Sequence, residues 1–340
     1  MRYRGVIITT AVVFGVVATR AGAQGFSGPY AQCDAGTTSL KDGCYKAVDL
    51  FNFVAPQLSA SISAGNATLG QGSTLGGFPH WSAELRASGL AGTLPQVNQL
   101  HPAHTGQVQS DIPVKSQAIG LPTFDAAVGV FRGLQLPLTR MFGVDALVSA
   151  TYIPSLDGAA IGVRATNGSY KLGYGVRVGL LDESVAWPGV SVTYMVRDLP
   201  TTDVIGTTTD QSSGATDTIG VRNLSLRTNG WRIVASKNLM VVGLTLGAGQ
   251  DHYSSSGTLS VYVKDNNGCE NGCSGTPFGF DQHLTRTNYF ADLSFNLVVA
   301  RLVGEIGRVS GGTIATYNTF QGHRADDART YGSLGIRVGF

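Results

Sequence analysis

Past residue 80 the chain alternates between apolar side chains and small or polar ones. At its end, Leu334, Ile336, Val338 and Phe340 occupy one set of alternate positions, and Ser333, Gly335, Arg337 and Gly339 occupy the other. Tyr170, Leu172, Tyr174, Val176, Val178 and Leu180 alternate with Lys171, Gly173, Gly175, Arg177 and Gly179. Val190, Val192, Tyr194 and Val196 alternate with Ser191, Thr193, Met195 and Arg197. Tyr289, Ala291, Leu293, Phe295, Leu297 and Val299 alternate with residues that include Asp292, Ser294 and Asn296. A period of two sends successive side chains to opposite faces, so each stretch predicts a strand with one apolar face. Strands are predicted near 82–96, 122–134, 142–153, 168–181, 188–199, 218–235, 240–264, 284–298, 302–311 and 328–340, which makes ten. Long connections near 97–121, 154–167, 200–217, 265–283 and 312–327 alternate with short ones near 135–141, 182–187, 236–239 and 299–301. A turn at Asp251–Ser256 would split the tall seventh strand and give eleven, so closure would need another strand from 48–64, which makes twelve, with fourteen as a further alternative.

The second face decides between architectures. A soluble sandwich buries one face of each strand and charges the other. Here the non-apolar face is mostly Gly, Ser and Thr with isolated charges, which suits the inside of a closed ring. The expected fold is all-β, a single transmembrane antiparallel β-barrel of about ten strands. Its lipid-facing row includes Leu293, Phe295, Leu297, Leu334, Ile336, Val338 and Phe340. Tyr152, Tyr170, Tyr194, Tyr289, Tyr331 and Phe340 lie near strand ends, where an interfacial aromatic girdle belongs. The expected lumen charges are Glu84, Arg86, Lys171, Arg177, Arg197, Arg227, Asp292, Glu305 and Arg337. They would either bias the solutes that pass or pair across a filled interior, since an unpaired buried charge is costly.

Composition agrees with this reading. Gly is 46 of 340 residues, and charged residues are 14 %, against about 25 % in soluble domains. Residues beyond the N-terminal region contain no apolar run of about 20, the length of a membrane helix. Arg2 and Arg4 precede the apolar run Val6–Ala18, and Ala21-Gly22-Ala23 supplies a small-residue cleavage site. This arrangement predicts a signal peptide over 1–23 with Gln24 as the new N-terminus. Arg2, Arg4 and Arg20 leave with it, so 24 basic residues fall to 21 against 22 acidic ones. That near-neutral balance argues against a nucleic-acid binder working through a basic surface. Residues 24–79 form an N-terminal segment with helical character at Tyr45–Val54 and a Gly-, Ser- and Thr-rich stretch at Ala55–Gly77. The segment is expected to plug the lumen, pack against the periplasmic base or add strands, with the barrel occupying 80–340. In an exported protein the four cysteines predict loop staples, Cys33–Cys44 and Cys269–Cys273.

These residues carry a resemblance. The signal-like leader, the alternating strands and the last strand ending at Phe340 resemble Gram-negative outer-membrane β-barrel proteins. The resemblance covers Ser82 to Phe340. It implies outer-membrane lipid and lipopolysaccharide as surroundings, and recognition of the C-terminal strand by the barrel-assembly machinery. The N-terminal segment and modest lumen charge are also similar to FadL-type transporters of hydrophobic compounds, although an Asn-Pro-Ala-type hatch motif is absent.

Little in the sequence suggests chemistry. His80, His101, His104, His252, His283 and His323 are read at strand ends or in loops, and Pro102 argues against a helical metal pair at His101 and His104. Asp265–Cys273 is rich in oxygen ligands but fails the EF-hand spacing. There is no Gly-x-Ser-x-Gly elbow between a strand and a helix and no nucleotide-binding loop, so no cofactor and no enzyme activity are expected. The expected function is a passive channel or transporter for small solutes, hydrophobic ones included. The alternatives are a non-transporting structural or adhesive barrel and, third, a membrane-embedded hydrolase.

Overall fold

The computed structural model describes residues 28, 30–137, 139–153, 162–165, 168–209, 215–264 and 269–339. The leader over 1–23 and Phe340 lie outside the described residues. Ten long strands form a ring: β1 Trp81–Pro95, β2 Val114–Phe131, β3 Val144–Tyr152, β4 Tyr170–Leu181, β5 Gly189–Asp198, β6 Thr216–Leu239, β7 Val242–Val263, β8 Phe278–Asn296, β9 Arg301–Val309 and β10 Arg329–Gly339. Each pairs antiparallel with its chain neighbours, and β1 closes on β10 with Leu85 opposite Ile336. Ring closure removes the free edges that an open sheet would present to lipid. Residues 251–256 continue β7 without a turn, so the ring stays at ten.

Alternation assigns the faces. Leu334 and Ile336 are 59 % and 56 % exposed, while Ser333 and Arg337 on either side and Gly335 between them are buried. Val338, Leu293, Phe295 and Leu297 are also exposed. Tyr152, Tyr170, Tyr194 and Tyr289 stand outside, joined by Trp231 opposite Tyr194. Tyr331 does not belong to this girdle: it shares the parity of Ser333, points inward and is 2 % exposed.

Three strands reach further on the loop side than their alternation suggests: β2 begins at Val114, β6 at Thr216 and β8 at Phe278, while β7 keeps the span read from the sequence to within two residues. Thr202–Thr209, read as loop from the sequence, adds a strand beside upper β6, and Gly162–Ala165 pairs with it in turn. In β6 the register shifts between Arg222 and Ser225, where Asn223 takes φ 52°. Such a bulge exchanges the two faces. Ile219 and Val221 point inward before it, and Leu224, Leu226, Thr228 and Arg232 after it.

The N-terminal segment is inside the ring. A short helix α1, Tyr30–Asp34, leads into α2, Thr38–Ser63, which is 26 residues long and buried along nearly its whole length. Its buried surface is not wholly apolar: Asp42, Lys46, Asp49 and Asn52 recur three or four residues apart and are buried beside Val48, Leu50 and Phe51, a helical spacing of which Tyr45–Val54 shows only a part. Asp42 and Lys46 pair one turn apart at 2.5 Å. Pro56 sits within the helix, and nearby the Gln57 side chain donates to Phe53 O at 2.9 Å. Where the helix continues into the Ser-rich stretch, Ser61 and Ser63 return their hydroxyls to Leu58 O and Ala60 O, which satisfies them away from water.

The helix starts at the loop end. The Cys33–Cys44 disulfide joins α1 to α2, and Cys269–Cys273 staples the connection before β8. The connections over 96–113 and 310–328 fold across the same end. Asp42 accepts hydrogen bonds from Ala103 N and Val108 N. The Phe53 and Phe320 rings stack with centroids 4.0 Å apart. From Ala64 the chain descends through the lumen to His80, whose carbonyl accepts from Gly129 N at the turn end.

Candidate functional site

The candidate site is the lumen, where the plug meets the ring. Its loop-end half is apolar: Phe51, Phe53, Leu58 and Ile62 of α2 share one core with Leu90, Ile119, Ile219 and Leu259 of the strands. The turn-end half is polar, and its charges engage the plug's backbone. An α-helix leaves its last four carbonyls without partners and carries partial negative charge there. Arginines from three different strands meet that end. Arg86 Nη1 donates to Ala64 O at 2.6 Å. Arg197 Nη1 donates to Gly65 O at 3.3 Å and to Ile62 O at 3.5 Å. Arg232 Nη2 donates to Ser63 O. Gly65 adopts φ +81°, and a Cβ there would lie 1.9 Å from Arg86 Nη1. Glycine is therefore required both for the left-handed turn and for the arginine's approach.

Below the helix the polarity reverses, because the descending backbone now offers amide donors. Asn66 N donates to Glu305 at 3.2 Å, Gly70 N to Asp292 at 2.8 Å, and Leu75 N to Asp145 at 3.1 Å. Gly72 N donates to Ser236 Oγ at 2.7 Å, and Thr74 uses both its amide and its hydroxyl on Asp182. Arg337 and Arg301 donate to Leu69 O and Gly70 O at 2.8 and 3.1 Å. The same charges also pair with one another: Arg86 holds Asp125 at 3.0 Å, and Arg177 holds Asp145 at 2.6 Å. Higher up, Gln57 exchanges two hydrogen bonds with Thr93, donating to its carbonyl at 2.7 Å and accepting from its amide at 2.8 Å.

Of the lumen charges read from the sequence, Glu84, Arg86, Arg177, Arg197, Asp292, Glu305 and Arg337 are buried inside. Lys171 has lumen parity but stands exposed at the rim, one residue into β4. Arg227 is a correction: after the bulge in β6 it shares the outer face with Trp231, its side chain is 56 % exposed, and it lies 3.7 Å from Asp198. Asp125, Asp145, Arg232 and Asp251 are buried lumen groups that the reading of the sequence passed over. Parity could have found them, since Asp125 lies between the outward Phe124 and Val128 in alternation, and Asp145 faces Arg177 in register. His252 and His283 lie within β7 and β8 rather than in loops, on the outer face.

Plug and wall leave spaces of different size, and a loop-end cavity of about 150 Å³ lies between Cys33, Leu40 and Cys44 of the plug and Leu259 and Val261 of β7. A cavity of about 20 Å³ lies beneath the helix end, lined by Ser63, Asn66, Thr193, Arg197, Arg232 and Asp251 among others. That is room for about one water. A cleft of about 540 Å³ opens at the turn end between Gln71, Leu75, Trp81 and the 297–301 turn.

At the loop end, Asp49 of α2 accepts from Tyr317 N at 3.1 Å and from Asn318 N and Nδ2, both at 2.7 Å, and the Tyr30 hydroxyl also donates to it. Burial pushes the Asp49 carboxyl up to about 6, partly opposed by those donors. Burial and the neighbouring Asp49 push the Tyr30 hydroxyl well above its usual range. Exposed Asp111 is held below the usual carboxylate range by the Thr319 hydroxyl and the Gln321 amide.

No family model and no curated protein matches the chain. Among solved structures it is similar to the outer membrane protease OmpT from Escherichia coli, at 8 % identity and a TM-score of 0.36, over 79 % of this chain and 100 % of that one. It is similar to Ail, the attachment invasion locus protein of Yersinia pestis, at 11 % identity and a TM-score of 0.25, over 77 % and 99 % of the two chains. It is also similar to the Pseudomonas putida toluene transporter TodX, at 11 % identity and a TM-score of 0.29, over 84 % and 96 %. The ring of ten antiparallel strands that closes β1 on β10 is what identifies this chain as a barrel.

Proposed function

We propose that the protein is a closed outer-membrane barrel whose working surface is its folded outer cap, the non-transporting, adhesive kind of barrel. The observation that carries this reading is the seating of the plug: arginines from β1, β5 and β6 on the helix's terminal carbonyls, and carboxylates from β3, β8 and β9 on the amides that follow. A solute path through the ring needs these contacts to break together. The cap offers a second support. Two disulfides, the Asp42 and Asp49 clamps and the Phe53–Phe320 stack hold the loop end as a defined surface, and rigid surfaces bind with less loss of conformational entropy.

Reconstitution into planar bilayers tests the proposal. The intact protein is expected to give no steady conductance, while deletion of residues 38–77 gives stable open steps. Steady conductance from the intact protein would overturn the closed-barrel reading and favour the passive conduit. One observation favours a gated version of that conduit, the turn-end cleft beside the plug. It would show as openings that appear only when a solute or voltage is applied.

A further inference from the structure

We propose that the cleft at the turn end binds an anion carried on an apolar body, its carboxylate or phosphate oxygens held between Arg301 and Arg337. The two arginines share one rung of the ladder, Arg301 of β9 directly opposite Arg337 of β10. Like charges so placed repel and destabilise a sheet. Other lumen arginines meet carboxylates: Arg86 holds Asp125 at 3.0 Å, Arg177 holds Asp145 at 2.6 Å and Arg286 holds Asp326 at 2.7 Å. Among the described residues, no carboxylate lies within 4.0 Å of Arg301 or Arg337. Each donates one side-chain hydrogen bond to them, Arg301 to Gly70 O at 3.1 Å and Arg337 to Leu69 O at 2.8 Å.

A guanidinium has five N–H donors, and neither arginine has an unpaired nitrogen sealed from solvent. The remaining donors are reached through the cleft, which both residues line. Nearby carboxylates are turned elsewhere. Glu84 stands opposite Arg337 on β1 but is buried and does not line the cleft. Asp292 accepts from Gly70 N, and Glu183 from the amide and side chain of Asn238. A carboxylate or phosphate, with paired oxygens, matches the fork of a guanidinium and relieves the repulsion across the rung.

The rest of the cleft sets the body of the ligand. Its volume of about 540 Å³ lies within the roughly 300–1,000 Å³ of small-molecule sites. Leu75, Trp81, Leu297, Val299 and Val338 line it beside the arginines, so an alkyl chain is covered where the anion is bound. Short turns of bacterial barrels face the periplasm, and the outward row Leu293, Phe295 and Leu297 ends at this turn. The mouth therefore opens at the periplasmic edge of the apolar band. Two sources supply the same chemistry there, the headgroup phosphate of a membrane lipid and a free amphiphilic carboxylate. The inference does not rest on the closed-barrel reading, since the mouth is present whether or not the lumen conducts.

The test uses the full-length protein in dodecyl maltoside, a detergent without phosphate or carboxylate. Octanoate is the probe and octanol its neutral counterpart. Methyl NMR peaks of Leu75 and Val338 report on the cleft, and those of Leu259 on the loop end. Octanoate should move the cleft peaks saturably and leave Leu259 in place. Octanol should bind at least about tenfold more weakly, as the loss of charge-assisted hydrogen bonds requires. Arg301→Gln should weaken octanoate by a similar factor and leave octanol unchanged. Equal binding of the two probes, no movement of the cleft peaks, or undiminished octanoate binding by a folded Arg301→Gln protein would each overturn the proposal. The comparison of probes needs no variant, so it stands if Arg301→Gln fails to fold. In phospholipid nanodiscs, cleft peaks already displaced and insensitive to octanoate identify the lipid headgroup as the occupant. Peaks that respond as in detergent identify a free solute.

Discussion

Arg86→Met strands two buried groups at once. The guanidinium donates to Ala64 O at 2.6 Å and holds Asp125 through Nε and Nη2, both at 3.0 Å. The two side chains are 1 % and 2 % exposed, so water does not replace the lost partner. Removing one member of a buried ion pair costs about 3–5 kcal/mol, because the other charge stays buried. The stranded helix carbonyl adds a desolvation cost of about 1–3 kcal/mol where it cannot find another donor. Because the two groups share one partner, these costs overlap, and about 3–5 kcal/mol is the expected total. Urea unfolding of the barrel refolded in detergent, followed by tryptophan fluorescence, measures it. Asp125→Asn and the double variant complete a cycle. The double variant should cost less than its two single changes taken together, by at least about 1 kcal/mol, since it leaves no unpaired charge. An Arg86→Met protein within about 0.5 kcal/mol of the unaltered protein, the range of an ordinary surface change, would refute the claim that lumen charges hold the plug. So would single effects that simply add.

Further outcomes follow from the same contacts. Gly65→Ala forces a Cβ into a left-handed turn and against Arg86. It should destabilise by more than the roughly 1–2 kcal/mol of the backbone strain alone, as read from the same urea curves. Replacing Cys33 and Cys44 by Ser opens a link between residues 11 apart and should lower stability by about 3 kcal/mol in the loop-entropy picture. Limited proteolysis should then cut first in the cap. The Asp49 carboxyl titrates near 6 in the fold and near 3.9 in an unfolded chain. Its folded pKa is raised, so the folded state takes up the proton first, and the cap gains stability as pH falls from about 6 toward 4. The gain is at most about 3 kcal/mol, and Asp49→Asn should flatten that part of the stability–pH curve. Leu246→Arg places a charge on the outward face, where Leu246 is 57 % exposed. It should cost up to about 2–4 kcal/mol, depending on depth, when folding is measured in lipid vesicles.

Alternation by itself determined the barrel. Leu334, Ile336 and Val338 project outward because a strand has no other way to place successive side chains, and ten such rows joined by alternating long and short connections describe a closed meander. The two local disulfides were legible for a similar reason, since each joins residues close in the chain. The plug was legible only in part. Asp42, Lys46, Asp49 and Asn52 fall at helical spacing in the first half of α2, but its Ser-rich second half looks like a loop until a wall surrounds it. Which charges do what was also a tertiary decision. A single bulge at Asn223 changed which parity points inward in β6, leaving Arg227 on the outside and Arg232 beneath the helix. Arg86, Arg197 and Arg232 converge on one helix end only after ring closure brings β1, β5 and β6 around it. A chain's local pattern sets which face a side chain takes, because that depends on neighbours one or two residues away. What a buried charge meets depends on groups from another strand or the plug, such as Asp125 for Arg86 and Ser63 for Arg232, and only the folded ring fixes that pairing.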